Sequence, residues 1–190
     1  MIPAALLQRI SAIYGSGVQV ERELRRIRSL RPHPDLEWQA ILAEIRRAVQ
    51  PYHVRDFTNL KDAPAFGCEI ALIPAEAYQT DDILLARQHG GQLRIVRAFT
   101  SLVYPAAYVH AFRMVVPEPE GELVFIDDHR SSPDEEIAHV WTSLEELLTR
   151  HGFEMLTRED VSQKTRWQTP CNEAAQATIF NCLFSDYLDP

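Results

Sequence analysis

The sequence predicts an α+β fold: a mostly antiparallel sheet of four or five strands, with helices packed on one face and an N-terminal helical segment. Three observations predict it. Apolar residues follow helical spacing through residues 1–50, before any strand pattern begins. The densest β-branched and aromatic run, residues 92–128, reads as the central strands. The strands are separated by hairpin-length loops, not by the long crossovers that parallel pairing requires.

Residues 3–14 read as a short helix with Leu6, Ile10 and Ile13 on one face, broken by Gly15, Ser16 and Gly17. Residues 18–30 form a second helix. Val20, Leu24 and Ile27 are its apolar stripe, and Arg22, Arg25, Arg26 and Arg28 cover the rest. Glu21 is one turn from Arg25 and is placed to pair with it. Such a helix invites a nucleic-acid reading, but Glu23 sits among the arginines and no aromatic platform interleaves. A solvated or acid-paired face is the expectation. Residues 35–50 carry Trp38, Ile41, Leu42, Ile45 and Val49 at helical spacing, and Pro51 ends the helix.

Residues 53–57 read as a weak strand and 66–73 as a good one, with Cys68, Ile70 and Leu72 on one face and Glu69, Ala71 and Ile73 on the other. Cys68 and Glu69 therefore point apart, and Cys68 is assigned to the core. Thr80 is the expected N-cap of a helix with Asp81 and Asp82 in its first turn and Gly90 as its C-cap. Residues 92–100 form a strand, and Pro105 marks a bend.

Residues 108–116 alternate, with Tyr108, His110, Phe112, Met114 and Val116 on one face and Val109, Ala111, Arg113 and Val115 on the other. A strand at 123–127 follows across a Pro-Glu-Pro-Glu-Gly loop. Opposing Val116 with Leu123 sets Met114 beside Phe125 and Phe112 beside Asp127, which gathers the apolar residues on one face. In this register His110 falls opposite His129 with Asp127 on the same face. His110, Asp127 and His129 are thus a candidate two-histidine, one-carboxylate metal site. The alternative reading of residues 127–132 is a solvated exit from the strand into a helix cap.

Ser132, Pro133, Asp134 and Glu135 read as a capping box with proline at the first helical position. Ile137, Val140, Trp141, Leu144, Leu147 and Leu148 continue a stripe wide enough to pack on a sheet. Trp141 is expected to be mostly buried against the central strands. Residues 153–156 suggest a short strand and 157–164 a polar turn or single-turn helix. Thr169 as N-cap and Pro170 at the first position predict a tail helix over 172–187. Cys171 then sits in the first turn, where unpaired amides lower a thiol pKa. With a histidine and a carboxylate nearby in space, it is a candidate catalytic cysteine.

At 190 residues and 46% hydrophobic, the chain suits a single α+β domain over 1–190, with 1–50 as a helical segment and 51–190 as the sheet-containing body. No apolar run is long enough to span a bilayer, and residues 1–14 lack a basic start and cleavage site, so no membrane partner or signal peptide is expected. Cys68, Cys171 and Cys182 are odd in number and lack CxxC spacing, which fits reduced thiols in the cytoplasm. Residues 1–50 carry a net charge of +3 and residues 51–190 a net charge of −11. An acidic body disfavours nucleic acid; it suits a basic protein partner or, equally, plain solubility.

There is no Gly-rich phosphate loop, no HExxH helix and no nucleophile elbow. No cofactor is therefore expected. Ile73-Pro74, a helix ending at Gly90-Gly91, a strand into Asp127-Asp128 and a Ser-Leu-Glu-Glu-Leu-Leu helix are similar to the SUKH immunity proteins over about half the chain. The strand before Pro74, the short middle and the long tail depart from that pattern. The resemblance implies a binding module. Together these observations predict a non-enzymatic cytoplasmic protein-binding module, with an immunity or antitoxin-like inhibitor of a basic partner as one form. The alternative is a small enzyme dependent on the His110/Asp127/His129 metal set or on Cys171.

Overall fold

The computed structural model describes residues 2–15, 20–30, 34–60, 63–117, 123–128, 134–173 and 175–185. Three helices, α1 (Ala4–Tyr14), α2 (Val20–Leu30) and α3 (Pro34–Ala48), precede the sheet. Strands β1 (Tyr52–Asp56), β2 (Ala65–Pro74), β3 (Gln92–Ser101), β4 (Ala106–Val115) and β5 (Val124–Asp128) pair antiparallel in chain order. Helix α4 (Asp82–Gln88) joins β2 to β3, and helix α5 (Glu135–Arg150) follows β5. A short strand β6 (Glu154–Leu156) then adds parallel to the start of β4, and two short helices, α6 (Arg158–Val161) and α7 (Ile179–Leu183), close the chain. The fold is α+β, with a mostly antiparallel sheet.

The β4–β5 register is the expected one. Phe112 opposes Asp127, Met114 opposes Phe125 and Val115 opposes Val124. A one-residue slip would set Phe125 opposite Arg113, on the face away from Phe112 and Met114. On one face of the sheet, Cys68, Ile70, Val96, Ala98, Val109 and Ala111 share a core with α3 and α5, through Trp38, Leu42, Ile45, Ile137, Val140 and Leu144. Helix α1 joins the same core through Leu6, Ile10 and Ile13, and Tyr14 donates its hydroxyl to the Cys182 carbonyl at 2.8 Å.

The opposite face is covered as well. Leu85 and Ala86 of α4 pack on Ala71, Leu93, Ile95, Phe112 and Met114. Phe180 of α7 and Phe184 just beyond it pack on Phe99 and Tyr108. This two-sided cover is why β2 is buried along nearly its whole length and does not alternate.

Three local expectations are corrected. Asp81, not Thr80, caps α4, accepting from the amides of Ile83 and Leu84. Asp134 caps α5, accepting from Glu136 and Ile137; Ser132 and Pro133 lie outside the described residues. The tail does not form a helix over 172–187. The chain bends through 169–173, Ala175 takes a positive φ of 66°, and Thr178 pairs with Lys164 as an isolated bridge. Helix begins only at Ile179, where Thr178 and Asn181 form a reciprocal capping box. The bridge and the cap hold Thr178 extended, so helix cannot propagate back toward Thr169.

Candidate functional site

The backbone register builds a row of charged side chains across the sheet face that α4 and the tail cover. Arg55 opposes Glu69, Glu69 opposes Arg97, and Arg97 opposes His110. Glu69 is buried in the middle of β2, so its carboxylate must be compensated in place. Arg97 Nε donates to Glu69 Oε2 at 2.8 Å, and Arg55 donates to Oε1. Arg97 also lies over the Phe112 ring, 4.6 Å from its centroid, and over Phe57 at 5.6 Å. Phe57 crosses the strand where Gly67 leaves room; a Cβ there would lie 2.6 Å from the ring.

The row continues to the sheet edge. His110 Nε2 and Asp127 Oδ1 are 3.3 Å apart, and Arg158 Nη2 donates to Asp127 Oδ2 at 2.5 Å. Burial lowers the His110 pKa below its usual value, with Arg97 and Arg158 adding to that direction and Asp127 opposing it. Partial burial disfavours the Asp127 carboxylate, but hydrogen bonds from Arg158 and His110 outweigh it and hold the carboxyl below its usual range.

The structure thus brings together two of the three metal candidates, His110 and Asp127. His129 lies outside the described residues. Among the described residues no cluster of three histidine, cysteine or carboxylate groups is assembled. Arg158 puts a guanidinium where a second metal contact to Asp127 would form. Sequence reading missed it because only the β6–α6 turn, held by the Thr157–Asp160 capping box, carries it back to β5. Cys171 is exposed in a bend, and the helix that would have activated it is not formed. Cys68 is buried, which pushes its thiol up to about 12 and leaves it inert.

Strand β5 forms the far edge of the sheet. Its Val124, Phe125 and Ile126 side chains are 44%, 59% and 44% exposed, and Leu123 just before it is 38% exposed. Native edge strands are normally blunted by charge, proline or a covering element. Phe125 touches the protein through an edge contact to Phe112, with ring centroids 5.8 Å apart.

A cleft opens beside this edge. β5 pairs with residues 111–115 of β4, and β6 pairs with residues 106–108. Both lie on the side of β4 away from β3, which leaves a notch at Val109 and His110. A cleft of about 830 Å³ occupies it, floored by Tyr108, Val109, Met155 and Leu156 and walled by α5 through Trp141, Glu145 and Glu146. Trp141 is partly buried against the main core, at the wall of this cleft, and its Nε1 donates to Glu145 Oε1 at 2.9 Å.

In comparison with known proteins, no family model, curated protein or solved structure matches the chain. The likeness to SUKH immunity proteins rests on the quoted residues alone.

Proposed function

We propose that this protein is a non-enzymatic protein-binding module, acting in the cytoplasm, that accepts an extended basic segment of a partner along the open edge of β5. The carrying observation is the apolar edge itself: Val124, Phe125 and Ile126 are all exposed on a terminal strand, Phe125 on one face of the sheet and Val124 and Ile126 on the other. Backbone groups on such an edge pair with an added strand, and alternate side chains then select the sequence. The sequence that carries the edge biases the sign of the partner: residues 117–136 contain eight acids and one arginine, of which Asp127, Asp128, Asp134 and Glu136 are paired with Arg158, Arg113 and Arg94. A basic partner would be steered to this edge, and like-charged chains repelled. An immunity or antitoxin-like inhibitor covering a basic surface is one form of this reading.

Two features favour binding over catalysis. The titratable groups of the cross-sheet row are engaged with one another: Glu69 with two arginines, and Asp127 with His110 and Arg158. The buried thiol of Cys68 is inert, and Cys171 sits in an exposed bend.

The test is Phe125→Lys, made in the full chain. Phe125 is 59% exposed and rests on Phe112 by one edge contact, so folding stability should fall by only about 0.5–1.5 kcal/mol. Co-purification from the native source should retain a basic protein on the wild type, with retention falling as salt rises, and lose it on the variant. Equal retention on both proteins sinks the proposal. So does a wild-type dimer that Phe125→Lys dissociates, because the edge would then belong to a second copy of this chain.

A further inference from the structure

We infer that the cleft between β5 and β6 is a receptor for a single arginine side chain of the partner; the inference rests on the proposed use of the β5 edge and assigns its anchoring residue. The cleft begins where β5 ends, since Asp128 lies in its lining. A strand laid along β5 therefore reaches its mouth after passing Phe125 and Ile126.

The volume of about 830 Å³ lies in the range of small-ligand pockets. It comfortably admits one long side chain. The floor of Val109, Met155 and Leu156 suits an aliphatic stem, and Trp141 offers an indole for a planar cation to stack on. The charge balance of the lining favours a cation. Three of the lining charges are each paired from outside the cleft: Arg158 by Asp127, Arg150 by Glu44 at 3.6 Å, and Asp128 by Arg113 at 3.3 Å. Glu145 and Glu146 carry the negative charge of the α5 wall, and Glu145 also fixes the indole through Trp141 Nε1. A guanidinium matches this pair of features better than an ammonium does. It is planar for stacking and presents a fork of donors to a carboxylate.

The probe is Nα-acetyl-arginine methylamide, titrated into the full-length protein and read by the indole N–H resonances in two-dimensional NMR. Trp38 and Trp167 are internal standards, and Trp141→Phe assigns the third resonance. The Trp141 signal should shift saturably. Glu146→Gln, which leaves the Trp141–Glu145 bond in place, should weaken the affinity by about threefold, the equivalent of one partly exposed charge pair. The norleucine amide should bind much more weakly. An unmoved Trp141 signal overturns the inference, as does equal affinity for the arginine and norleucine amides. Equal affinity for the lysine amide overturns the guanidinium assignment. The two proposals fail separately. Phe125→Lys should leave arginine-amide binding intact, so a cleft that fails to bind leaves the edge reading standing. A cleft that binds, with partner capture indifferent to Phe125→Lys, overturns the edge reading alone.

Discussion

His110 shows how much of the candidate site is decided by a single side chain's surroundings. Its imidazole lies between Arg97 and Arg158 and is tied to Asp127. Burial, reinforced by the two arginines, outweighs the carboxylate, so the folded pKa falls below 6.5. The sign for stability follows. An unfolded chain takes up the proton near 6.5, whereas the folded chain resists it until a lower pH. The stability contribution is complete above about pH 6.5 and is lost as pH falls through the folded pKa. His53, lowered by burial and by Arg55, adds in the same direction. Asp56, Asp127, Asp134 and Asp160 are all lowered from 3.8, so their contributions fade only in more acid solution. The melting temperature should therefore fall between pH 7 and pH 5.5, and His110→Asn should flatten that slope. An equal slope in the variant would show that His110 carries no part of it. The sequence displayed His110 and Asp127 as neighbours because one hairpin register fixes both. Arg97 and Glu69 were not legible in the same way. Their meeting depends on pairing β1, β2 and β3 across long connections, where no local pattern sets the alignment.

Strands and long helices were the readable elements, and the tail was not. Periodicity found α1, α3 and α5 because each presents a continuous apolar stripe to a core. Thr169 and Pro170 imitate a helix start, and Thr169 does cap a turn, accepting from the Asn172 amide at 3.1 Å. The start goes no further because Thr178 is held by a bridge to Lys164 and by Asn181. Neither partner is visible in a local window, and the positive φ of Ala175 has no residue signature. The two tail conformations predict opposite signs for one substitution. In the observed structure Thr178→Ala removes a cap and should cost about 1 kcal/mol. In a continuous 172–187 helix Thr178 would be an interior position, where alanine is the better helix former and the change would stabilise. The urea midpoint of Thr178→Ala against wild type separates them, and a raised midpoint would reject the capped turn.

At the scale of the whole molecule, the helical segment and the sheet share one core. The composition divides the chain at residue 50, basic before it and acidic after it, yet the packing does not follow that division. Leu6 and Ile10 of α1 are fully buried in the cluster that holds Val96, Val109 and Phe180. Arg9 Nε donates to the Val103 carbonyl at 3.2 Å, tying α1 to the turn between β3 and β4, and Tyr14 ties it to α7. A segment joined this way cannot leave without exposing sheet residues, so it should unfold with them. Leu6→Ala is the test. Its cavity should cost about 2–5 kcal/mol of global stability, the range for a buried leucine. The denaturant slope should be unchanged, because the same surface is exposed on unfolding. Helical signal from circular dichroism and fluorescence from Trp38 and Trp141 should move together to the lower midpoint. If α1 and α2 instead dock as a separable appendage, Leu6→Ala would shift only an early helical loss. The sheet would keep its wild-type midpoint, and the fluorescence and far-ultraviolet transitions would part.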